Sequence, residues 1–216
     1  MTWPPRCALV TDRGRWGSEW RRAIPALAGR AAEAGVDLFQ VREYGLETRA
    51  LASLVAACRE AMAGSRTRLL VNDRLDVALA EGADGVHLPG HGLGVAEVRL
   101  QVPEGFLIGR SVRGPEAAAG ESGMADVLVF GTVFQTVSKP GVVPAGLRGL
   151  ARVTALSRVP VLAIGGVNEA VLGDLALAGA AGIAAIGWLQ VESTAEMRRR
   201  VLAVRSAFDT LGRQLP

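Results

Sequence analysis

The sequence predicts an α/β fold, a single (βα)8 TIM barrel running over residues 1–216. Three observations carry that expectation. A chain of 216 residues is long enough for one substantial core and short for two domains. Hydrophobic residues make up 50% of it but aromatics only 5%, which suits a buried parallel sheet of Val, Leu and Ile wrapped by Ala-rich helices. A boundary also recurs along the chain, as EAGVDLFQV at 33–41, AEGADGVHL at 80–88, ESGMADVLVF at 121–130 and LAGAAGIAAI at 177–186. In each, an Ala-rich helix stops near a Gly, a small or acidic residue turns the chain, and a short apolar strand begins. Gly ends a helix in the left-handed region without Cβ strain.

Taken in order, strands are expected at 7–11, 38–42, 68–72, 85–88, 107–112, 126–130, 160–165 and 182–187. Helices are expected at about 18–34, 46–63, 74–81, 94–101, 115–122, 147–157, 168–178 and 193–212. Eight strands each followed by a helix is the barrel count. An open doubly wound sheet would show fewer strands and a G-x-G-x-x-G turn after the first; the chain reads TDRGRWG there.

Charge and composition exclude several function classes. The net charge is +3, and the basic residues are scattered apart from short clusters at Arg21–Arg22 and Arg198–Arg200. No basic stripe with interleaved aromatics marks a nucleic-acid partner. No run approaches the roughly 18 apolar residues of a membrane span, and the start lacks a secretory core, so a soluble cytoplasmic protein is expected. Cys7 and Cys58 have neither metal-ligand spacing nor a flanking His, and read as small buried hydrophobes.

Polar residues gather where strands end, which is where barrels do chemistry. The second strand ends in Gln40, Arg42 and Glu43, the third in Asn72 and Asp73, the fifth in Ser111. Helix N-capping is the alternative role for Asn72, Asp73 and Ser111. His87 lies within the fourth strand and reads as a hydrogen-bonded core histidine, while His91 follows it near the mouth. The seventh and eighth strands end in Gly165-Gly166 and Gly187, where backbone N–H groups at helix starts can receive a phosphate. The one long connection, 131–146, carries Thr136, Ser138 and Lys139. Hydroxyls beside a lysine can donate several hydrogen bonds to phosphate oxygens, although a solvated Ser-Lys-Pro-Gly turn has the same composition.

TDR at 11–13, QVRE at 40–43, VNDRLDVALAEGADGVHL at 71–88, IGRSV at 108–112, GTVF with SKPG across 131–141 and VPVLAIGGV at 159–167 together resemble the thiamine phosphate synthase/TenI superfamily. The resemblance spans about 180 residues and keeps motif order. It implies a barrel that binds phosphorylated thiazole or thiamine phosphate; composition points to no nucleic-acid or membrane partner, and apolar barrel helices leave room for a homodimer. The synthase pattern implies Mg²⁺ held by two separated carboxylates and a lysine reaching the pyrophosphate. Asp73 matches the first carboxylate; Gly92 stands in place of the second and Tyr44 in place of the lysine. The TenI pattern, a thiazole tautomerase without a metal, implies a histidine acid/base where this chain has Thr132, so catalysis on that branch would fall to His91, Glu43 or Thr132. The expectation is therefore a TenI-type thiazole tautomerase with no cofactor. The alternatives are a divergent Mg²⁺-dependent synthase with Asp73 as metal ligand, and a non-catalytic binder.

Overall fold

The computed structural model describes residues 4–121, 123–137 and 141–211. Eight parallel strands close into a barrel in sequence order, β8 pairing with β1. They are β1 (Cys7–Val10), β2 (Leu38–Val41), β3 (Arg68–Asn72), β4 (Gly85–Leu88), β5 (Leu107–Val112), β6 (Val127–Phe130), β7 (Val161–Ile164) and β8 (Gly182–Ala185). The helices between and after them are α1 (Trp20–Ala34), α2 (Thr48–Ala61), α3 (Leu75–Ala80), α4 (Val95–Arg99), α5 (Pro115–Glu121), α6 (Gly146–Leu156), α7 (Leu172–Leu177) and α8 (Thr194–Leu211). Each expected element is present. Strands 1, 2, 6, 7 and 8 are a residue or two shorter than expected; in 1, 2, 7 and 8 pairing stops where the chain turns into the mouth loops. α7 is also shorter, since a 3-10 turn at Glu169–Val171 precedes it.

Glycine performs the expected stop. Gly35, Gly82 and Gly179 all lie at positive φ, and Gly35 N–H bonds back to the Ala31 and Ala32 carbonyls of α1. The acidic residue that follows has a further task at the amino-terminal rim. Asp37 Oδ2 accepts from Arg6 N (2.8 Å) and Cys7 N (3.0 Å) at the start of β1. Asp84 does the same for Leu69 of β3 (2.8 Å), and Asp126 for Ile108 of β5 (2.7 Å). An arginine neutralises each: Arg205 on Asp37, Arg68 on Asp84 and Arg99 on Asp126. Half-buried carboxylates are thus paired and hydrogen-bonded, as their desolvation requires.

Strand alternation divides the core in two. Odd-facing residues such as Leu9, Phe39, Val71, Ile108 and Leu128 pack outward against the helices. Ala8, Val10, Leu38, Leu70, Val127, Val129, Leu162 and Ala184 fill the barrel interior. Cys7 and Cys58 are buried free thiols in the outer core. Burial pushes the Cys58 thiol up to about 12, so it is a packed, unionised group. Among the described residues no helix is long and apolar enough to cross a membrane.

Candidate active site

Continuing each interior row toward the carboxyl end changes its chemistry. On β2 to β5 the next inward residues are Gln40, Asn72, His87 and Ser111; register fixes the set, with Asn72 opposite His87 and His87 opposite Gly109. They form two hydrogen-bonded pairs. Gln40 Nε2 donates to Asn72 Oδ1 (2.9 Å), and His87 Nε2 and Ser111 Oγ share a bond of 2.8 Å. Gln40, Asn72 and His87 are buried. Burial, with the Arg42 and Arg110 cations adding to it, pulls the His87 imidazole down to about 4, so it is neutral at neutral pH. Gly109 makes room for that ring: a β-carbon there would stand 2.7 Å from His87 Nδ1.

These four residues floor a mouth cavity of about 240 Å³ whose walls include Arg42, His91 and Arg113. The Arg42 guanidinium lies over the Tyr44 ring, 4.6 Å from its centroid. His91 sits on a loop held by the buried Arg110, whose Nη1 donates to the carbonyls of Pro89 (2.8 Å) and Leu93 (2.9 Å) while Nη2 pairs with Glu121. On the rim Asp73 occupies a left-handed conformation (φ 65), anchored by its N–H to the His87 carbonyl (2.9 Å). Gly92 faces it closely.

Glu43 is placed elsewhere. Its carboxylate accepts from Thr11 Oγ1 (2.5 Å) and Arg13 N (3.0 Å), and it is buried beneath the loop that leaves β1. Burial pushes its carboxyl up, and those two hydrogen bonds oppose the shift. It lines neither cavity of the mouth, so it braces a loop instead of presenting an acid/base to a ligand.

A second cavity, of about 210 Å³, opens over β7 and β8. Gly165, Gly166, Gly187, Thr132 and Thr136 line it, as do Arg15 and Trp188. Gly165 and Gly166 also have a packing role. Gly165 and Gly166 lie at φ 103 and 67, and a β-carbon on Gly166 would stand 2.6 Å from the Gln135 carbonyl oxygen and Phe134 Cβ. They allow the loop after β6 to lie on the turn after β7, tied by Val133 N–H to the Ile164 carbonyl (2.9 Å) and Phe134 N–H to Gly165 (3.1 Å). Helix starts contribute little: α7 has six residues with Asn168 capping the 3-10 turn before it, and α8 begins only at Thr194. Thr132 is buried against Gly165, whose β-carbon would meet its Cγ2 at 2.7 Å. Ser138 and Lys139 lie outside the described residues.

The two cavities adjoin, since Ile164 and Ile186 line both. Residues 7–189 match the family described as thiamine monophosphate synthase. The chain belongs to the thiamine monophosphate synthase family. Within that family, the thiamine-phosphate synthase of Methanoculleus marisnigri is 42% identical over 206 residues, covering 92% of this chain and 94% of its own. That of Methanocella arvoryzae is 36% identical over 211 residues, covering 95% and 97%. The solved thiamine phosphate pyrophosphorylase of Pyrococcus furiosus superposes with a TM-score of 0.77 at 27% identity, over 95% of this chain and 96% of that one. Membership connects the protein to thiamine biosynthesis, and these relatives carry the synthase name where the sequence alone pointed first to a tautomerase. Two further cavity residues are Arg15, which the sequence does not single out, and His87, which is buried and hydrogen-bonded as expected and also lines the mouth. Both follow from barrel closure, which sets Arg15 beside β8 and turns His87 inward.

Proposed function

We propose that the protein is a thiamine phosphate synthase. It joins the methylene carbon of hydroxymethylpyrimidine pyrophosphate to the ring nitrogen of thiazole phosphate. The carbon–oxygen bond to pyrophosphate breaks with its electron pair leaving on the diphosphate, and the thiazole nitrogen pair forms the new carbon–nitrogen bond. One observation carries this reading: two chemically distinct cavities meet at Ile164 and Ile186. A transfer between two bound molecules needs adjoining pockets, whereas a one-substrate isomerase needs a single one. The synthase name borne by relatives at 42% and 36% identity supports it.

The mouth cavity takes the pyrimidine. Gln40 and Asn72 offer amide donors and acceptors to a heterocycle edge, and neutral His87 with Ser111 offers a second pair. Arg42 and Arg113 stand where a departing diphosphate accumulates charge. The cavity over β7 and β8 takes the thiazole phosphate, with Gly165, Gly166, Gly187 and Thr136 around the phosphate; Ser138 and Lys139, from the same loop, complete the proposed set.

Family membership implies Mg²⁺. The donor set is lean: Asp73 is the one carboxylate facing position 92, and no group of three metal-type ligands exists among the described residues. One or two carboxylates plus substrate phosphates is nevertheless the way Mg²⁺ is commonly held, so Asp73 with a bound diphosphate fits. When bound there, Mg²⁺ neutralises charge on the leaving oxygens.

The tautomerase reading has less support. Thr132 has no basic nitrogen to offer near neutral pH, and Glu43 lines neither cavity. Incubation with both substrates and Mg²⁺, followed by chromatography for thiamine phosphate, decides between them. Product formation is expected; no product, together with aromatisation of the thiazole carboxylate tautomer, would restore the tautomerase.

A further inference from the structure

The loop leaving β1 carries a cation across the mouth. β1 and β8 are neighbours in the closed barrel, with Leu9 opposite Ala185, so the chain after Val10 lies beside the turn after β8. Its path is fixed at several points. Thr11 Oγ1 donates to Glu43 Oε1 and accepts from Arg42 N (2.9 Å), while Glu43 Oε2 accepts from Arg13 N (3.0 Å). Asp12 then caps a 3-10 turn at Arg13–Arg15, accepting from Gly14 N (3.1 Å). Arg13 points back and donates to the Tyr44 carbonyl (2.9 Å).

Arg15 points the other way. It walls the cavity over β7 and β8, and its Nη1 lies 3.2 Å from where a β-carbon on Gly187 would stand. Among the described residues no hydrogen bond or ion pair engages its guanidinium. Arg68, Arg99, Arg110 and Arg205, by contrast, are each paired with a carboxylate. An unpaired guanidinium on a braced loop, facing a cavity otherwise walled by glycines, two threonines and apolar side chains, has the fork geometry that phosphate oxygens complete.

We infer that Arg15 is a cationic ligand of the phosphate group bound over β7 and β8, and that position 187 is glycine so that this guanidinium can reach the cavity. The inference rests on the phosphate-site reading above and deepens it. It names a side chain from the loop after β1, on the far side of the cavity from the loop after β6.

The test uses the full chain and two probes, thiazole phosphate and the same thiazole alcohol without phosphate, titrated calorimetrically. The wild type should prefer the phosphate ester; equal affinity for the two would overturn the phosphate-site reading itself. Given that preference, Arg15→Ala should weaken the phosphate ester about tenfold or more and leave the alcohol unchanged. Arg15→Lys should recover part of the loss, because it restores charge without the fork. In steady-state assays the KM for thiazole phosphate should rise while that for the pyrimidine pyrophosphate stays put. An Arg15→Ala protein with unaltered circular dichroism and unaltered affinity for the phosphate ester would sink the assignment of Arg15 and leave the cavity's role intact.

Discussion

Gly92 faces the Asp73 carboxylate so closely that a β-carbon on it would stand 3.0 Å from Asp73 Oδ1. Position 92, where the family pattern implies a second carboxylate, is thus adjacent to Asp73. Gly92→Asp should bring two like charges together, lowering stability by about 1 kcal/mol in chelator. Added Mg²⁺ should restore it and lower the Mg²⁺ concentration for half-maximal activity several-fold. Thermal melts with and without Mg²⁺ check this directly; a melt indifferent to the metal would exclude position 92 as a ligand site.

His87 should make the protein acid-sensitive. Its imidazole is held near 4 in the fold by burial, with Arg42 and Arg110 contributing, against an ordinary value of 6.5. The unfolded chain therefore binds a proton in that window which the folded chain refuses. The stability contribution is present above about pH 6.5 and is lost as pH falls toward 4, with a slope of up to about 1.4 kcal/mol per pH unit. Urea titrations between pH 4 and 7 should show this slope in the wild type and a shallower one in His87→Asn.

Glu43 and Arg15 should behave as one unit. Because Glu43 holds Thr11 and Arg13 at the root of the Arg15 turn, Glu43→Ala should weaken thiazole phosphate binding. In a double-mutant cycle the two losses should fall short of adding, since a misplaced Arg15 has little left to lose. Full additivity would separate the brace from the cation.

Gly166 should tolerate nothing larger. Gly166→Ala combines φ 67 with a 2.6 Å approach to the Gln135 carbonyl, and a loss of about 2 kcal/mol or more is expected in denaturant unfolding. The damage should be greatest in the loop after β6, read as faster amide exchange at Val133 and Phe134.

The barrel was legible in the sequence because each unit announces itself locally, by an apolar run, an Ala-rich segment and a glycine stop. Gly35, Gly82 and Gly179 take up the left-handed conformation their positions imply. Gln40, Asn72 and Ser111 were legible as mouth residues for the same reason, since strand ends point there. His87 was not. A four-residue strand buried on both faces has no alternation to reveal which face is the barrel interior, and only the Asn72–His87 register supplies it. Glu43 read as an acid/base because sequence places it at a strand end, whereas its partners Thr11 and Arg13 come from the neighbouring strand's loop. Arg15 is not legible in sequence because its reach depends on β1 meeting β8, a contact between strands about 175 residues apart.

The polar inner residues of the mouth all come from β2 to β5, and β6 to β8 present glycine, hydroxyl and aliphatic groups instead. On the proposed synthase reading, the boundary between donor and acceptor therefore runs along a line of the barrel itself, through Ile164 and Ile186. Sequence change on one side of that line can retune which group is handed over while the grip on the receiving molecule is inherited unaltered. A library randomised only at the ends of β2 to β5 is thus a search over electrophiles at constant nucleophile.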